Sequence, residues 1–346
     1  PRFVCVYLFC ALIFAQCSGI KPFKQQNLNN NNNKGQLDEM IANIPPSYGK
    51  YGPASSLSHI DTLNWIQEAT KEELRKKAGG DTISENCWVP EGQTSCAPQF
   101  IIAGSMKCGT TSLHTYLLDH PHVLPLRDDA RLAGKEILAK KEIRFFNDPT
   151  FVRMTKNIGL TEALSNYYNL FQHMPIPDEN NTQTYISGDA TPMYVCADTT
   201  AKRAYLGLPE AKVIIMVRDP VDRMYSEYWF KQSLTSTNQV MGKSSPPKQG
   251  DQSHFLACAK PEIRRMEYCK AQELAQNLNQ KDISNFFQCY TEISAKAQQD
   301  RCKSTKFEGM CSDPLSSRFC SPKTVMNSFY APQIYLWKEL FGSNLL

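Results

Sequence analysis

Two short apolar runs, Gln99 to Ala103 (QFIIA) and Lys212 to Val217 (KVIIMV), stand out from a chain of mixed polarity. Both have the length of a strand rather than a helix, and such runs read as strands buried on both faces. Behind each run the period changes. Leu113, Tyr116 and Leu117 fall on one side of a helix over Thr110 to Leu118, closed by Pro121. Val221, Met224, Tyr225 and Tyr228 recur at i, i+3, i+4 and i+7 and mark a second helix. Ile143 to Phe146 and Tyr185 to Ser187 are shorter strand candidates. Tyr330, Ile334, Trp337 and Phe341 line a last helix, after which Leu345-Leu346 opens a further strand. Strands alternating with helices predict an α/β fold, a P-loop-like parallel sheet flanked by helices.

The flanking segments break that rhythm. Phe3 to Ala15 is a continuous apolar run, shorter than the ~20 residues of a membrane span and the size of a signal-peptide core. Ala15-Gln16-Cys17 suits cleavage, and a retained signal anchor is the other reading. Residues 18–56 are polar, with an Asn29 to Asn33 tract and the breakers Pro45-Pro46 and Gly52-Pro53, a composition that cannot bury a core. Asp61 to Lys77 has helical spacing (Leu63, Ile66, Leu74) and stops at Ala78-Gly79-Gly80. The expected organisation is a hydrophobic signal or anchor over 1–17, a stem over 18–95 and one domain over 96–346. Within that domain, about 234–324 reads as a cysteine-rich, mostly helical insertion. Pro1 in place of Met and the apolar Asn344-Leu345-Leu346 read as cut ends, so the domain is expected to continue.

Composition narrows the class. Of 346 residues, 41% are hydrophobic and 21% charged, enough for a real core. A mean hydropathy of −0.43 excludes a multi-span membrane protein. The 38 Lys and Arg against 34 Asp and Glu leave +4, too weak an excess to argue for nucleic acid. Six of the 13 cysteines (Cys258, Cys269, Cys289, Cys302, Cys311, Cys320) crowd together, with no Cys-x-x-Cys pair and no His pair at ligand spacing. Disulfides in an oxidising lumen are therefore expected rather than zinc, in any of 15 connectivities. Cys87 and Cys96 bracket a loop and are candidates to pair with each other. Asn180-Asn181-Thr182 is a glycosylation sequon.

The chemistry concentrates where each strand meets its helix. In Gly104-Ser-Met-Lys107-Cys108-Gly109-Thr110-Thr111-Ser112, backbone N–H groups and a helix dipole converge on one point, which favours an anion. Thr110, Thr111 and Ser112 add hydroxyls, and Lys107 adds a full charge. The pattern is not a Walker A loop, because Thr110 stands where that loop has its lysine. The second stretch is Arg218-Asp219-Pro220-Val221-Asp222-Arg223-Met-Tyr-Ser226. Arg218 offers a planar fork of donors to a phosphate, Asp219 suits an N-cap and Pro220 the first turn. Arg223 and Ser226 are three apart and share a helix face.

Together these stretches resemble the phosphosulfate loop and 3′-phosphate motif of sulfotransferases that use 3′-phosphoadenosine 5′-phosphosulfate (PAPS), in particular the Golgi carbohydrate branch. Three further matches fall in order: His120-Pro121, Lys141-Glu142-Ile143-Arg144-Phe145-Phe146 and Asp189-Ala190-Thr191-Pro192-Met193-Tyr194. The Tyr330 to Phe341 helix also looks like the family's late helix. Ala190 replaces a lysine frequent in the heparan sulfate members. The cysteine-bearing insertion and the Lys-Cys-Gly-Thr-Thr loop look more like the chondroitin/dermatan N-acetylgalactosamine 4-sulfate 6-O-sulfotransferases.

The resemblance implies an enzyme that moves a sulfuryl group from PAPS to a hydroxyl of an anionic glycan, such as chondroitin or dermatan sulfate. Lys107, Cys108, Gly109, Thr110, Thr111, Ser112, Arg218 and Ser226 would bind the donor. Lys107 would also stabilise the leaving oxygen without a metal, and Glu142 would be the general base. Asp189 and the His120/His122 pair are the next candidates for the base. Cys108 is expected to stay a free thiol because its loop must fit the donor. The implied setting is the Golgi lumen, on the membrane through the N-terminal anchor, or else secretion; no nucleic-acid partner is implied. The alternatives are a heparan sulfate sulfotransferase, a non-catalytic glycan-binding module of the same fold, and a degenerate P-loop kinase.

Overall fold

A computed structural model describes residues 95–346 except 133–134, 137–140, 148, 172–184, 197, 238–251, 301–309 and 311–322, together with 67–68, 70–74, 82–84 and 87–88. The apolar run at the start, the polar residues 18–56 and the Asn180 sequon lie outside the described residues. Among those described, no helix is long and apolar enough to cross a membrane.

The two apolar runs become the centre of the fold. Following three short strands, β1 (Thr82–Ser84), β2 (Cys87–Trp88) and β3 (Ser95–Cys96), comes β4 (Phe100–Gly104). It pairs in parallel with β8 (Ile186–Ala190) on one side and with β9 (Lys212–Ile215) on the other. β5 (Val123–Leu124) adds to the far side of β8, giving a parallel sheet ordered β5-β8-β4-β9. Alternate residues of β4 serve different cores. Ile101 and Ala103 join the main core, while Phe100 and Ile102 pack with Leu117, Ile186 and Ile214 on the opposite face. That two-sided burial is why the run carries no polar alternation. Leu345 makes an isolated parallel bridge to Val213, in the direction expected of a further strand.

Helix α1 (Thr110–Leu118) follows β4 directly, and its buried residues are Thr110, His114 and Leu117. Tyr116, expected inside, is 40% exposed. Strands β6 (Arg131–Leu132) and β7 (Lys135–Glu136) form a small antiparallel pair. Ile143 to Phe146 is not a strand. Phe145 and Phe146 are both fully buried, which alternation would forbid, because Glu142 and Arg144 each turn into the left-handed region with φ of 58°. Both rings then enter one aromatic cluster with Phe151, Tyr167 and Tyr194, from α2 (Thr150–Ile158), α3 (Leu160–Tyr168) and the segment after β8.

Helices α4 (Asp198–Gly207) and α5 (Pro220–Thr237) flank β9. Val221 is 59% exposed, so the expected apolar face of α5 is rotated; its fully buried side chains include Arg223 and Glu227. Between α5 and the last helix lie α6 (Gln252–Tyr268), α7 (Ala271–Gln276) and α8 (Gln280–Asp300). Cys269 and Cys289 form a disulfide between them, and Cys96 and Cys258 are also disulfide-bonded. Cys96 stands opposite Cys87 in the β2–β3 ladder. Helix α9 (Tyr330–Phe341) buries Gln333, Leu336, Trp337, Leu340 and Phe341, a face displaced from the one expected at Tyr330 and Ile334.

Candidate active site

Because the sheet is parallel, the chain leaves β4, β8, β9 and β5 at one edge, and the candidate residues collect there. The loop after β4 is tied down first. Ser105 N–H donates to the Met216 carbonyl at 2.8 Å, and Met216 N–H returns to Gly104 O at 2.9 Å. A Cβ on Gly104 would lie 2.4 Å from Val195 Cγ1, so only glycine fits. Lys107 (φ 71°) and Gly109 (φ 90°) then take left-handed conformations that curl the loop into α1. Gly109 caps α1 without a side-chain bond, and the first intrahelical bond starts at Leu113 N–H. The earlier N–H groups of the helix are thus free of intrahelical partners. Thr110 is buried, Thr111 and Ser112 are exposed, and Ser105 Oγ is buried with no hydrogen-bond partner. The Lys107 ammonium lies 4.4 Å over the Phe230 ring of α5. Donors, hydroxyls, an unpartnered oxygen and one cation together fit an anionic group.

Two contacts hold this loop from the side, and both involve residues that sequence spacing misassigned or passed over. Arg223, read as sharing a face with Ser226, is wholly buried. It donates to the Met106 carbonyl at 3.2 Å, to Thr324 O at 2.7 Å and to Ser328 Oγ at 2.5 Å, and pairs with Glu227. Tyr330 brings its hydroxyl 3.6 Å from Cys108 Sγ, and Cys108 is a free thiol. Arg218 remains half exposed between β9 and α5, 3.3 Å from Asp222, while Asp219 accepts from Val221 and Asp222 N–H as the N-cap of α5. Ser226 is half-buried, two turns into that helix.

Glu142 reaches the cradle through its neighbour. Its backbone N–H donates to Ala190 O at 3.0 Å, fixing it at the end of β8. Lys141 Nζ donates to Thr111 Oγ1 at 2.8 Å and to Glu142 Oε1 at 3.3 Å, and Arg144 Nη2 lies 2.7 Å from Glu142 Oε2. Burial pushes the Glu142 carboxyl up, but Arg144 and Lys141 outweigh it and hold the group below the usual carboxylate range. Lys141 was visible in the Lys-Glu-x-x-Phe-Phe stretch, but nothing in its spacing assigned it to the site.

Residues 98–318 match the family model described as the Sulfotransferase family. The chain belongs to that family. Among curated relatives it is 30% identical to the membrane-associated sulfotransferase kil1 of Dictyostelium discoideum, over 54% of this chain and 32% of that one. It is 28% identical to the human bifunctional heparan sulfate N-deacetylase/N-sulfotransferase 2, over 43% of this chain and 14% of the relative. The chain therefore spans a third or less of the curated relatives it matches. A solved sulfotransferase from Alicyclobacillus acidocaldarius aligns at 22% identity, covering 71% of this chain and 96% of its own, with a TM-score of 0.30.

Within this sulfotransferase domain the other two candidates for a base are poorly placed. Asp189 is fully buried and accepts from the hydroxyls of Thr191 and Tyr194 at 2.7 Å and of Tyr167 at 3.0 Å. Burial pushes it up to about 6 against those three hydrogen bonds, but a side chain sealed from solvent cannot meet an acceptor. His120 and His122 pack edge to face 5.3 Å apart beyond the C-terminus of α1. The nine residues of α1 put them on the order of 13 Å from its first turn. A cleft of about 520 Å³ between the loop after β5 and helices α2 and α3 is lined by Arg127, Asp129, Arg153, Asn157 and Asn166. Among the described residues, no group of three or more His, Cys, Asp or Glu side chains converges as metal ligands.

Proposed function

We propose that the chain transfers the sulfuryl group of PAPS to a glycosaminoglycan, with Lys107 and Glu142 as the two chemical poles. The observation that carries this reading is Lys141, whose ammonium bridges Thr111 in the cradle and the Glu142 carboxylate at 2.8 and 3.3 Å. One cation thus links the anion cradle to the candidate base, as a transfer between donor and acceptor requires. The bond from sulfur to the bridging phosphate oxygen breaks, and its electron pair leaves on that oxygen near Lys107. A new bond forms from sulfur to the acceptor oxygen, whose proton passes to Glu142. The remaining donor groups are the Gly109 amide, the Thr110, Thr111 and Ser112 hydroxyls, and Arg218 with Ser226 toward the 3′-phosphate, while Cys108, whose N–H closes the loop onto Ser105 O at 3.1 Å, shapes the cradle.

The relatives' names favour a heparan-type acceptor over the chondroitin/dermatan type expected from the insertion and loop. The disulfides fit an oxidising compartment such as the Golgi lumen. The test is turnover of PAPS labelled in its sulfate, with desulfated heparan and chondroitin acceptors. Glu142→Gln keeps size and polarity and should cost ~10²–10⁴-fold in rate with donor affinity nearly unchanged. Lys107→Ala should reduce donor binding and turnover together. Near-normal transfer by Glu142→Gln would remove the base, and donor binding without any transfer by the unaltered protein would select the glycan-binding module.

A further inference from the structure

Glu142 is caged in the resting protein. Each carboxylate oxygen faces a cation, Oε1 toward Lys141 at 3.3 Å and Oε2 toward Arg144 at 2.7 Å. A carboxylate so engaged keeps lone pairs open to an incoming hydroxyl, but two cations at hydrogen-bond distance leave it little tendency to take a proton. Release of one of the two cations makes the group a stronger base.

The two are not equivalent. The Lys141 side chain is 16% exposed and is also bound to Thr111, so it belongs to the cradle. The Arg144 side chain is 56% exposed. Its root is nonetheless fixed, because Arg144 N–H donates to Thr191 Oγ1 at 3.2 Å. Both Glu142 and Arg144 hold φ of 58°, a conformation that side-chain-bearing residues seldom adopt and that tends to persist at functional positions. A fixed backbone presenting an exposed guanidinium beside the base is built to exchange partners.

We infer that Arg144 reads a carboxylate or sulfate on the acceptor glycan and, by turning to it, releases Glu142 to accept the proton of the attacking group. This rests on the proposed transfer to a glycosaminoglycan and names what that site recognises. A guanidinium fork takes a uronate or a sulfate as readily as a glutamate, so the exchange preserves its charge pairing. A neutral sugar offers nothing in return and leaves the cage shut. Anionic acceptors are then preferred in kcat as well as in KM. The other ionisable groups facing Glu142 are Lys141 and the buried Asp189, with His114 behind Lys141.

The experiment compares a uronate-bearing oligosaccharide acceptor with the same oligosaccharide after carboxyl reduction, in the unaltered protein and in Arg144→Gln, at fixed ionic strength. The unaltered protein should favour the anionic acceptor by roughly ten- to a hundredfold in kcat/KM, the worth of one charged hydrogen bond. In Arg144→Gln the preference should collapse to about twofold, with the reduced acceptor turned over no more slowly than before. The acidic limb of its pH–rate profile should also move to higher pH, because removing Arg144 lets the Glu142 carboxyl rise. Lys156→Gln removes the same charge from α2 and should leave both the ratio and the profile alone. Equal losses on both acceptors, or an unmoved acidic limb, would overturn the inference. Calorimetric titration of both oligosaccharides into the complex with desulfated donor reads the contact without turnover. Equal affinities in the unaltered protein would refute the role of Arg144, whereas an absence of transfer would count against the proposed function instead.

Discussion

Arg218, three residues beyond β9, has its side chain 45% exposed and pairs with an exposed Asp222 at 3.3 Å. Such a pair contributes little to stability, so the guanidinium is free to turn to a phosphate at small cost. Arg218→Ala should weaken binding of the desulfated nucleotide by about ten- to a hundredfold. A nucleotide lacking the 3′-phosphate should lose little, and calorimetry showing equal losses for both would remove Arg218 from that role. The same scale explains what could be read of the site beforehand. Lys107, Thr110, Thr111 and Arg218 announce themselves because glycine, hydroxyls and charge are adjacent in the sequence. Nothing local separates Glu142 from Asp189. Only the structure puts one carboxylate in a half-open, cation-lined position and seals the other under Tyr167, Tyr194 and Thr191.

Among the elements, α5 is the instructive one. Arg223 and Glu227 at i, i+4 have the spacing of a solvated surface pair, yet both are fully buried, with Lys231 also reaching Glu227. Periodicity weighs apolar residues, so a helix whose inward face is ionic is rotated in any such reading. The strand expected at Ile143 to Phe146 fails for a related reason: adjacent phenylalanines suggest a buried run, but left-handed residues at Glu142 and Arg144, just ahead of them, break the extended chain, and both rings are buried. β4 and β9 were legible because their burial is almost purely apolar, and α1 because Gly109 and Pro121 bracket it. The buried pair supports a prediction. Arg223→Met removes one of the two cations that pair with the buried Glu227 and should cost on the order of 3 kcal/mol in urea unfolding. Because Arg223 also holds the Met106 carbonyl, donor affinity should fall too. Replacing Glu227 by Leu in the same protein should recover much of the stability but not the affinity. Recovery of both would show that Arg223 does not position the loop.

At the level of the whole molecule, α6 and α8 share the main core with the sheet through Met266, Ile283, Phe286, Tyr290 and Ile293. A carboxylate is trapped in that junction. Glu262 is fully buried, accepts from Val325 N–H, and is pushed up to about 7 by burial, against the pull of Val325 and Arg265. A glutamate whose folded pKa lies above its unfolded value adds stability below about pH 4.5 and loses it as pH rises through about 7. Glu262→Gln should therefore match the unaltered protein near pH 5 and exceed it near pH 8, by up to about 3 kcal/mol. Urea midpoints at the two pH values check this, and an equal difference at both would reject it.

The strand order has a consequence for how the chain is made. β4, the strand that carries the donor loop, is the first of the sheet to leave the ribosome, yet it lies between β8 and β9, its last-made neighbours. Until Ala190 and then Ile215 have emerged, Phe100 to Ala103 has neither ladder partner and stays an apolar segment with open edges. Contacts so distant in sequence close slowly and leave nascent chains prone to aggregate. The cradle is thus written early and assembled late, and a ribosome-stalled chain ending before β9 should remain bound to chaperones rather than hold a nucleotide.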